Sequence, residues 1–185
     1  QIFTSKDKEL TKVEYERLLT AANNKKNQRL YYLIQTIAST GIRVSELRHI
    51  TTSAVHSGQA VINCKGKMRI VILPKELCKI LKGYIWENNI KNGSVFVSRT
   101  GKPLDRSHIW KMLKALCETA GVSKDKVYPH SFRHLFARTY YSLQKDIVRL
   151  ADILGHSSVN TTRIYTMESG EIHRKQLQKL GLLRC

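Results

Sequence analysis

Residues 60–73 are the part of this sequence that most restricts its fold. They contain two β-branched runs, 61–64 and 69–73, on either side of the segment Lys65-Gly66-Lys67-Met68. Two such runs around a short glycine-containing segment are typical of a β-hairpin, here with a basic tip. Elsewhere the apolar residues mostly recur at helical spacing. The sequence therefore predicts a mainly α-helical chain with one small antiparallel sheet, an α+β fold.

Helical patterns precede this hairpin. Thr11 and Glu14 form a capping box, which places the start of a helix at Lys12. A second helix presents an apolar stripe at i, i+3, i+4 and i+7, and Gly41 is suited to end it. A short helix is then expected over residues 44–50. The stripe of the second helix consists of Leu30, Leu33, Ile34 and Ile37.

The hairpin is followed by further helices. Pro74 suits the first turn of a helix that runs to about residue 88. Residues 95–97 are predicted to form a short strand and residues 101–103 a turn, and Asp105 or Ser107 can cap the next helix. Almost all of the chain after Pro129 is expected to be helical. Three features support these assignments: Gly121 after the capped helix, a stripe of Ile147, Leu150, Ala151 and Leu154 ended by Gly155, and a basic amphipathic pattern over residues 171–183.

The net charge restricts the class of partner. Lys and Arg total 32 of the 185 residues against 14 Asp and Glu, which gives a formal charge of +18. Such a surplus favours a polyanionic partner, and nucleic acid is the main candidate because neutralised phosphates release counterions. A generally basic protein and one bound to anionic lipid are the alternatives. No apolar run approaches the roughly 18 residues of a membrane span, so no membrane partner is expected.

The four cysteines do not indicate a metal site. Cys64, Cys78, Cys117 and Cys185 form no CxxC pair, and their spacing fits no zinc template. They are expected to be reduced thiols of a cytoplasmic protein, three of them in or near the core. No metal or other cofactor is predicted.

Residues 129–167 bring together four side chains suited to phosphoryl chemistry. His130 and Arg133 share one face if a helix begins near His130. His156 and Tyr165 are nine residues apart and would point in opposite directions on one straight helix, so they converge only if the chain breaks between them. Taken singly, these residues fit better with a capping histidine, a surface arginine and a surface tyrosine. The break is predicted at Gly155, with Ser157 or Ser158 capping the next helix.

Two upstream groups carry further candidate residues. Arg43 lies three positions before Glu46, which can hold its guanidinium in place, although an ordinary surface ion pair has the same spacing. Lys65 and Lys67 lie at the predicted hairpin tip, where a solvated basic turn is the alternative interpretation.

Taken together, these segments resemble the catalytic domain of the tyrosine recombinase (phage integrase) family. Five blocks occur in the order of the family and have helical patterns between them where the fold needs them. The first is Thr-Gly-Ile-Arg-Val-Ser-Glu-Leu, the second Lys-Gly-Lys, the third His-Ser-Phe-Arg-His, the fourth Leu-Gly-His-Ser-Ser and the fifth Thr-Thr-Arg-Ile-Tyr-Thr. They occupy residues 40–47, 65–67, 130–134, 154–158 and 161–166.

The resemblance implies the parts played by the reacting groups. Tyr165 is expected to attack the scissile phosphate and form a 3′-phosphotyrosine, while Arg43 and Arg133 bind the nonbridging oxygens. Lys65 is expected to be the general acid for the 5′-oxygen leaving group. Lys67 is its competitor, because the hairpin is one residue shorter than in many relatives.

The resemblance also implies supporting roles. His130 is expected to handle the tyrosine proton, His156 to donate a further hydrogen bond to phosphate, and Glu46 to support the active-site arginine. The partners implied are double-stranded DNA, further copies of the chain in a tetramer during synapsis, and accessory directionality proteins. The chain is expected to act in the bacterial cytoplasm, associated with the nucleoid.

The resemblance covers less than a whole recombinase. Residues 1–10 are interpreted as a linker from an N-terminal DNA-binding domain, and residues 11–185 as the catalytic domain. Residues 170–185 are a tail helix that either docks on a neighbouring protomer, through Leu177 and Leu180, or folds back on its own core. Type IB topoisomerase-like strand relaxation and non-catalytic DNA binding on the same fold are the alternative functions.

Overall fold

The computed structural model describes residues 8–64, 66–128 and 130–163, together with residues 175, 177, 179 and 180. This part of the chain contains eight α-helices and one two-stranded antiparallel sheet, and the mainly helical prediction is confirmed. None of the helices described is long and apolar enough to cross a membrane. The elements are α1 Lys12–Asn24, α2 Gln28–Thr40, α3 Thr52–Ser57, β1 Gln59–Cys64, β2 Lys67–Ile72, α4 Lys75–Glu87, α5 Arg106–Ala120, α6 Ser131–Gln144, α7 Ile147–Leu154 and α8 Val159–Thr162, with 3-10 helices at Val44–His49 and Lys124–Lys126.

The helix ends follow local sequence signals. The amide of Thr11 donates to Glu14 Oε2 at 2.9 Å and the amide of Glu14 donates to Thr11 Oγ1 at 3.2 Å, so the capping box at the start of α1 is formed. Gly41 ends α2 in the left-handed conformation, with φ 69°. Asp105 caps α5 through the amide of His108 at 2.8 Å, so it is the capping residue of the two that were predicted.

The hairpin pairs in a single register. Gln59 pairs with Ile72 at its base, and Cys64 pairs with Lys67 at its far end. Lys67 is therefore the first residue of β2 rather than part of the turn. One face of the hairpin is buried and contributes Ala60, Ile62 and Val71 to the core.

One local prediction is wrong, and one helix was not predicted. Residues 95–97 do not form a strand, because their pairing is limited to isolated bridges, between Val97 and Pro103 and between Ser94 and Thr51. No sequence pattern indicated α3, which Thr51 caps and which buries Ala54 and Val55. The short helix expected over 44–50 is a 3-10 helix that ends at His49, and Pro74 precedes α4 as its N-cap.

Helix α2 lies at the centre of the fold. It packs against α1, α4 and α6, and α6 in turn packs against α7. The stripe predicted on α2 is fully buried, with Leu33, Ile34 and Ile37 at 0% exposure. This packing brings the C-terminal ends of α2 and α7 to the N-terminal end of α6, and the candidate site is built at that junction.

Candidate active site at the junction of α2, α6 and α7

Arg133 joins the three helices. It lies in the first turn of α6 and is 3% exposed. Its Nη1 donates to the carbonyl of Gly41 at the end of α2, and its Nη2 donates to the carbonyl of Leu154 at the end of α7, at 2.7 Å. Carbonyls at helix C-termini lack partners within their own helix and carry partial negative charge, so a buried guanidinium is stabilised between them. The three helix ends and the cation therefore hold each other in place.

Gly41 fits this junction because it has no side chain. Its φ of 69° is in the left-handed region, and a Cβ at this position would lie 2.4 Å from Phe136 Cδ1 and 3.1 Å from Leu154 Cδ2. Only glycine meets both requirements without moving Phe136. The close approach places the Gly41 carbonyl within reach of Arg133.

His156 contacts Arg133 from the other side. Gly155 ends α7 and Ser158 caps α8, so the predicted break lies on both sides of this histidine. Its Nε2 lies 3.2 Å from Arg133 Nη2, and its Nδ1 lies 2.7 Å from Thr162 Oγ1. A guanidinium can only donate, so Nε2 accepts and the proton is assigned to Nδ1.

The electrostatic surroundings keep His156 neutral. Burial lowers its pKa, and the charges of Arg133, Arg43 and Arg69 lower it further, to about 4. Three arginines from different elements therefore act on the one imidazole. The same field favours any anion that enters the junction.

Arg43 and Arg69 are both bound by one buried carboxylate. Glu46, 3% exposed, accepts the Arg43 amide at 2.8 Å and Arg43 Nη1 at 3.1 Å. It also accepts Arg69 Nη1 at 2.7 Å and Nη2 at 2.9 Å, a bidentate pair. Burial alone would raise the pKa of Glu46, but hydrogen bonds from Arg69 and from the Arg43 amide hold it below its usual value. The Arg43 side chain remains 34% exposed and so reaches solvent.

Arg69 was not identified from the sequence. It lies on β2 two positions before the buried Val71, and strand alternation therefore turns it toward the protein. An inward-facing arginine in a half-buried strand requires an acidic partner or an acceptor. That alternation was the signal that could have identified Arg69.

His130 is the last of the predicted site residues that the structure describes near Arg133 and Arg43. It is the N-cap residue of α6, and burial together with the charges of Arg106, Arg133 and Arg43 lowers its pKa. Its ring stacks at 6.3 Å on His134, whose pKa is lowered to about 4, first by burial. Arg106, the first residue of α5, is a second nearby cation that the sequence did not reveal.

The phage integrase family model matches residues 8–171. The chain belongs to the phage integrase family. Its sequence is 37% identical over 167 residues to the tyrosine recombinase XerH of Campylobacter jejuni, which covers 85% of this chain and 47% of that protein.

Solved structures of recombinases share the fold, and some share more than a quarter of the sequence. The crystal structure of XerA recombinase matches with a TM-score of 0.77 at 32% identity, over 95% of this chain and 64% of that one. XerH site-specific recombinase bound to difH substrate, in a pre-cleavage complex, matches with a TM-score of 0.74 at 28% identity, over 90% and 52%. The fold is that of tyrosine recombinases. The chain spans about half the length of the curated relatives it matches.

Within this phage integrase family fold, the structure brings together Arg43, Glu46, His130, Arg133 and His156, although they come from separate segments of the chain. Lys67 is exposed on β2. Several predicted parts lie outside the described residues: Lys65, Tyr165, residues 1–7 and most of 170–185. The two predicted arrangements of the tail therefore stay predictions.

Neither a metal site nor a disulfide is formed by the cysteines that the structure describes. The residues described contain no cluster of His, Cys, Asp or Glu suited to a metal ion. Cys78 and Cys117 are buried free thiols, and burial raises the pKa of Cys117. The Cys64 side chain and Cys185 lie outside the described part.

Proposed function

We propose that this chain performs site-specific recombination of double-stranded DNA, breaking and rejoining strands through a 3′-phosphotyrosine at Tyr165. The observation that carries the proposal is the convergence of Arg43, Arg133 and His156 at one junction. Membership of the family supports it, and so does the similarity to XerH, whose solved structure is bound to difH substrate. The formal charge of +18 suits a DNA partner.

The two arginines suit the charge that develops during strand cleavage. Attack by a tyrosine oxygen on a phosphodiester increases negative charge on the nonbridging oxygens. Preorganised guanidinium groups stabilise that charge without reorganising, because their positions are already fixed. Arg43 is fixed by Glu46, and Arg133 by the ends of α2 and α7. Such cations supply the charge stabilisation that metal ions supply in other sites.

The two histidines start from the neutral form. A neutral His130 accepts the proton of Tyr165 as the new P–O bond forms. A phosphate beside Arg43 and Arg133 offsets the positive charges that lower the pKa of His156. The His156 ring then takes up a proton from solvent at Nε2, gives up its contact with Arg133 Nη2, and donates from Nε2 to the phosphate.

The hairpin lysines supply the leaving-group proton. Lys65 is the proposed general acid for the 5′-oxygen and Lys67 its competitor. Because the phosphotyrosine ester retains the energy of the phosphodiester, the reverse attack by a 5′-hydroxyl reseals the strand without ATP.

The domain boundaries and the assembly also belong to this proposal. Residues 11–185 act as the catalytic domain and 1–10 as a linker to a DNA-binding domain. Several copies of the chain assemble on DNA, as a tetramer in synapsis, with the tail at 170–185 contacting a neighbour.

The test of the proposal is formation of a covalent protein–DNA adduct. The chain is incubated with a pool of nicked duplexes of randomised sequence, in which cleavage releases a short 5′-hydroxyl fragment and traps the intermediate. A protease-sensitive adduct is expected with the unaltered chain, and none with Tyr165→Phe. An adduct that persists in Tyr165→Phe excludes Tyr165 as the nucleophile.

A second experiment identifies the general acid. Lys65→Ala and Lys67→Ala are compared on an ordinary duplex and on a duplex with a bridging 5′-phosphorothiolate, whose sulfur leaves without a proton. The variant that lacks the acid is expected to lose about 100-fold or more on the ordinary duplex and to recover on the phosphorothiolate. Recovery by Lys67→Ala alone would transfer the role from Lys65 to Lys67.

A further inference from the structure

The two halves of the hairpin are held in different ways. At its base, Ala60, Ile62 and Val71 are buried in the core. Arg69 lies opposite Ile62 in the register, and its side chain is 18% exposed. Beyond this pair, every residue nearer the tip whose burial the structure describes is exposed. These residues are Asn63, Gly66, Lys67 and Met68.

Arg69 supplies the polar attachment of the hairpin to the candidate site. Its Nη1 and Nη2 form the bidentate pair with Glu46 at 2.7 Å and 2.9 Å, 23 positions away in sequence. Its Nε is buried without a hydrogen-bond partner, so among the described residues the guanidinium depends on Glu46 alone. A bidentate arginine–carboxylate pair fixes direction as well as distance. The pair therefore sets the position of β2 relative to Arg43.

Gly155 closes the other side of the Arg69 guanidinium. A Cβ at Gly155 would lie 2.8 Å from Arg69 Cδ and Nη1 and 2.9 Å from Cζ. Because the guanidinium is bound by Glu46, it could move away from such a Cβ only by breaking the bidentate pair. Arg69 thus lies between Glu46 and the glycine that precedes His156, and it spans two parts of the site from the hairpin.

Arg43 has contacts with Glu46 that do not depend on Arg69. Its amide donates to Oε2 at 2.8 Å and its Nη1 donates to Oε1 at 3.1 Å, within the same turn of chain. Removing Arg69 would leave both contacts available. Loss of Arg69 would mainly affect the position of the exposed half of the hairpin. Among the described residues, this half has no buried apolar residue beyond Ile62.

We propose that Arg69 is a positioning residue, which fixes the exposed half of the hairpin relative to Arg43 through its pair with Glu46 beside Gly155, and so sets the position of the hairpin lysines. This inference rests on the proposed function, because it assigns Arg69 to the leaving-group side of strand cleavage. As the oxygen of Tyr165 bonds to phosphorus, the P–O5′ bond breaks and a hairpin lysine gives its proton to the departing 5′-oxygen. Arg69 touches neither DNA nor the reacting atoms, and it acts by keeping that lysine within reach.

The test compares Arg69→Ala with the unaltered chain on two duplexes, at saturating DNA. On the ordinary phosphodiester, adduct formation is expected to slow by about 100-fold, the effect of misplacing a catalytic group by about 1 Å. On the 5′-phosphorothiolate, where no acid is needed, the rate is expected to return to within about threefold of the unaltered chain. A residue that only stabilises the fold would slow both reactions equally.

Two matched controls separate the position of Arg69 from its charge and from its strand. Arg17→Ala deletes the same charge from an exposed position on α1, and Ile70→Ala truncates the 62% exposed neighbour of Arg69 on the opposite face of β2. Both are expected to react like the unaltered chain on both duplexes. Equal losses for Arg69→Ala on the two duplexes, or no loss on the ordinary one, would overturn the proposal.

A conservative variant keeps the test decisive if Arg69→Ala does not fold. Arg69→Lys retains the charge but forms one contact to Glu46 instead of two. Its rate of adduct formation is expected to fall on the ordinary duplex, by less than in Arg69→Ala, and to recover on the phosphorothiolate. If Arg69→Lys reacts like the unaltered chain on both duplexes, the inference is also overturned. The proposed function fails separately, if the unaltered chain forms no Tyr165-dependent adduct on either duplex.

Discussion

Arg133 and Arg43 belong to the same junction but are held by different kinds of acceptor. Arg133 is 3% exposed and donates to the carbonyls of Gly41 and Leu154. The Arg43 side chain is 34% exposed and is bound by the carboxylate of Glu46, which it shares with Arg69. Backbone carbonyls therefore hold Arg133 at the helix ends, whereas a carboxylate holds Arg43.

The two kinds of acceptor both position a guanidinium, but only the carboxylate also neutralises positive charge. Carbonyl dipoles fix the direction of the Arg133 guanidinium without cancelling its charge. A single carboxylate shared by Arg43 and Arg69 leaves one positive charge of the two. Both arrangements hold donors in place while the site remains positive, as stabilisation of a phosphorane requires. They differ in what breaks them.

Replacing each arginine by alanine should separate the two arrangements most clearly. Arg133→Ala leaves two buried helix-end carbonyls without this donor, and is expected to lower the free energy of unfolding by about 4 kcal/mol. Arg43→Ala leaves Glu46 bound to Arg69, and is expected to cost about 1 kcal/mol. Urea unfolding of the purified variants measures both. Equal losses would mean that the backbone acceptors do not make Arg133 a structural residue.

The sequence predicted those parts of the molecule whose causes are local. The capping box of Thr11 and Glu14 and the stop at Gly41 depend on neighbouring residues, and both are formed. Helix α3, with six residues, is too short to show a helical period. The predicted strand at 95–97 was wrong because extended residues form a strand only where a partner runs alongside, which a local pattern does not reveal.

The candidate site was predictable only as a set of residues. The i, i+3 spacing of Arg43 and Glu46 indicated their contact, since both lie in one turn of chain. Arg69 reaches Glu46 across 23 positions, and no local rule relates them. Two acceptors of Arg133 are the backbone carbonyls of Gly41 and Leu154, which side-chain patterns do not encode. The charged groups of the site could therefore be predicted from the sequence, but the contacts that hold them in place could be identified only from the structure.

Gly41→Ala should disturb the backbone-held arginine without removing it. Its Cβ would enter the space of Phe136, and the left-handed backbone adds strain, for a total of about 3 kcal/mol. Gly58→Ala is the matched control, because its φ of 77° is similar but its Cβ would meet nothing within 4 Å. It is expected to cost about 1 kcal/mol. Thermal unfolding measures the difference, and equal costs would show that Phe136 yields freely.

Acid should affect the two arrangements in different pH ranges. His156, beside Arg133, has a pKa of about 4 in the folded chain against 6.5 unfolded, so the unfolded chain binds the extra proton and stability falls as the pH drops from 6.5 toward 4. Glu46 has a folded pKa below 4.5, so its contribution is present above 4.5 and is lost as the pH falls through the lowered value. The free energy of unfolding is therefore expected to depend less on pH between 6.5 and 4 in His156→Gln. In Glu46→Gln it is expected to depend less on pH below 4.5. Flattening in the same range for both variants would contradict the separation.

Arg149→Ala provides the smallest expected effect and tests whether burial is the cause of the others. Arg149 is 73% exposed and lies 3.9 Å from the partly exposed Asp146, so solvent screens the pair in both states. The free energy of unfolding is expected to change by less than about 0.5 kcal/mol, measured by urea unfolding beside Arg43→Ala. The predicted order is then Arg133, Arg43 and Arg149, which follows increasing exposure of the three guanidinium groups. If Arg149→Ala cost as much as Arg43→Ala, the loss at position 43 would reflect the removal of any arginine, and the shared carboxylate of Glu46 would have no special part in holding the site.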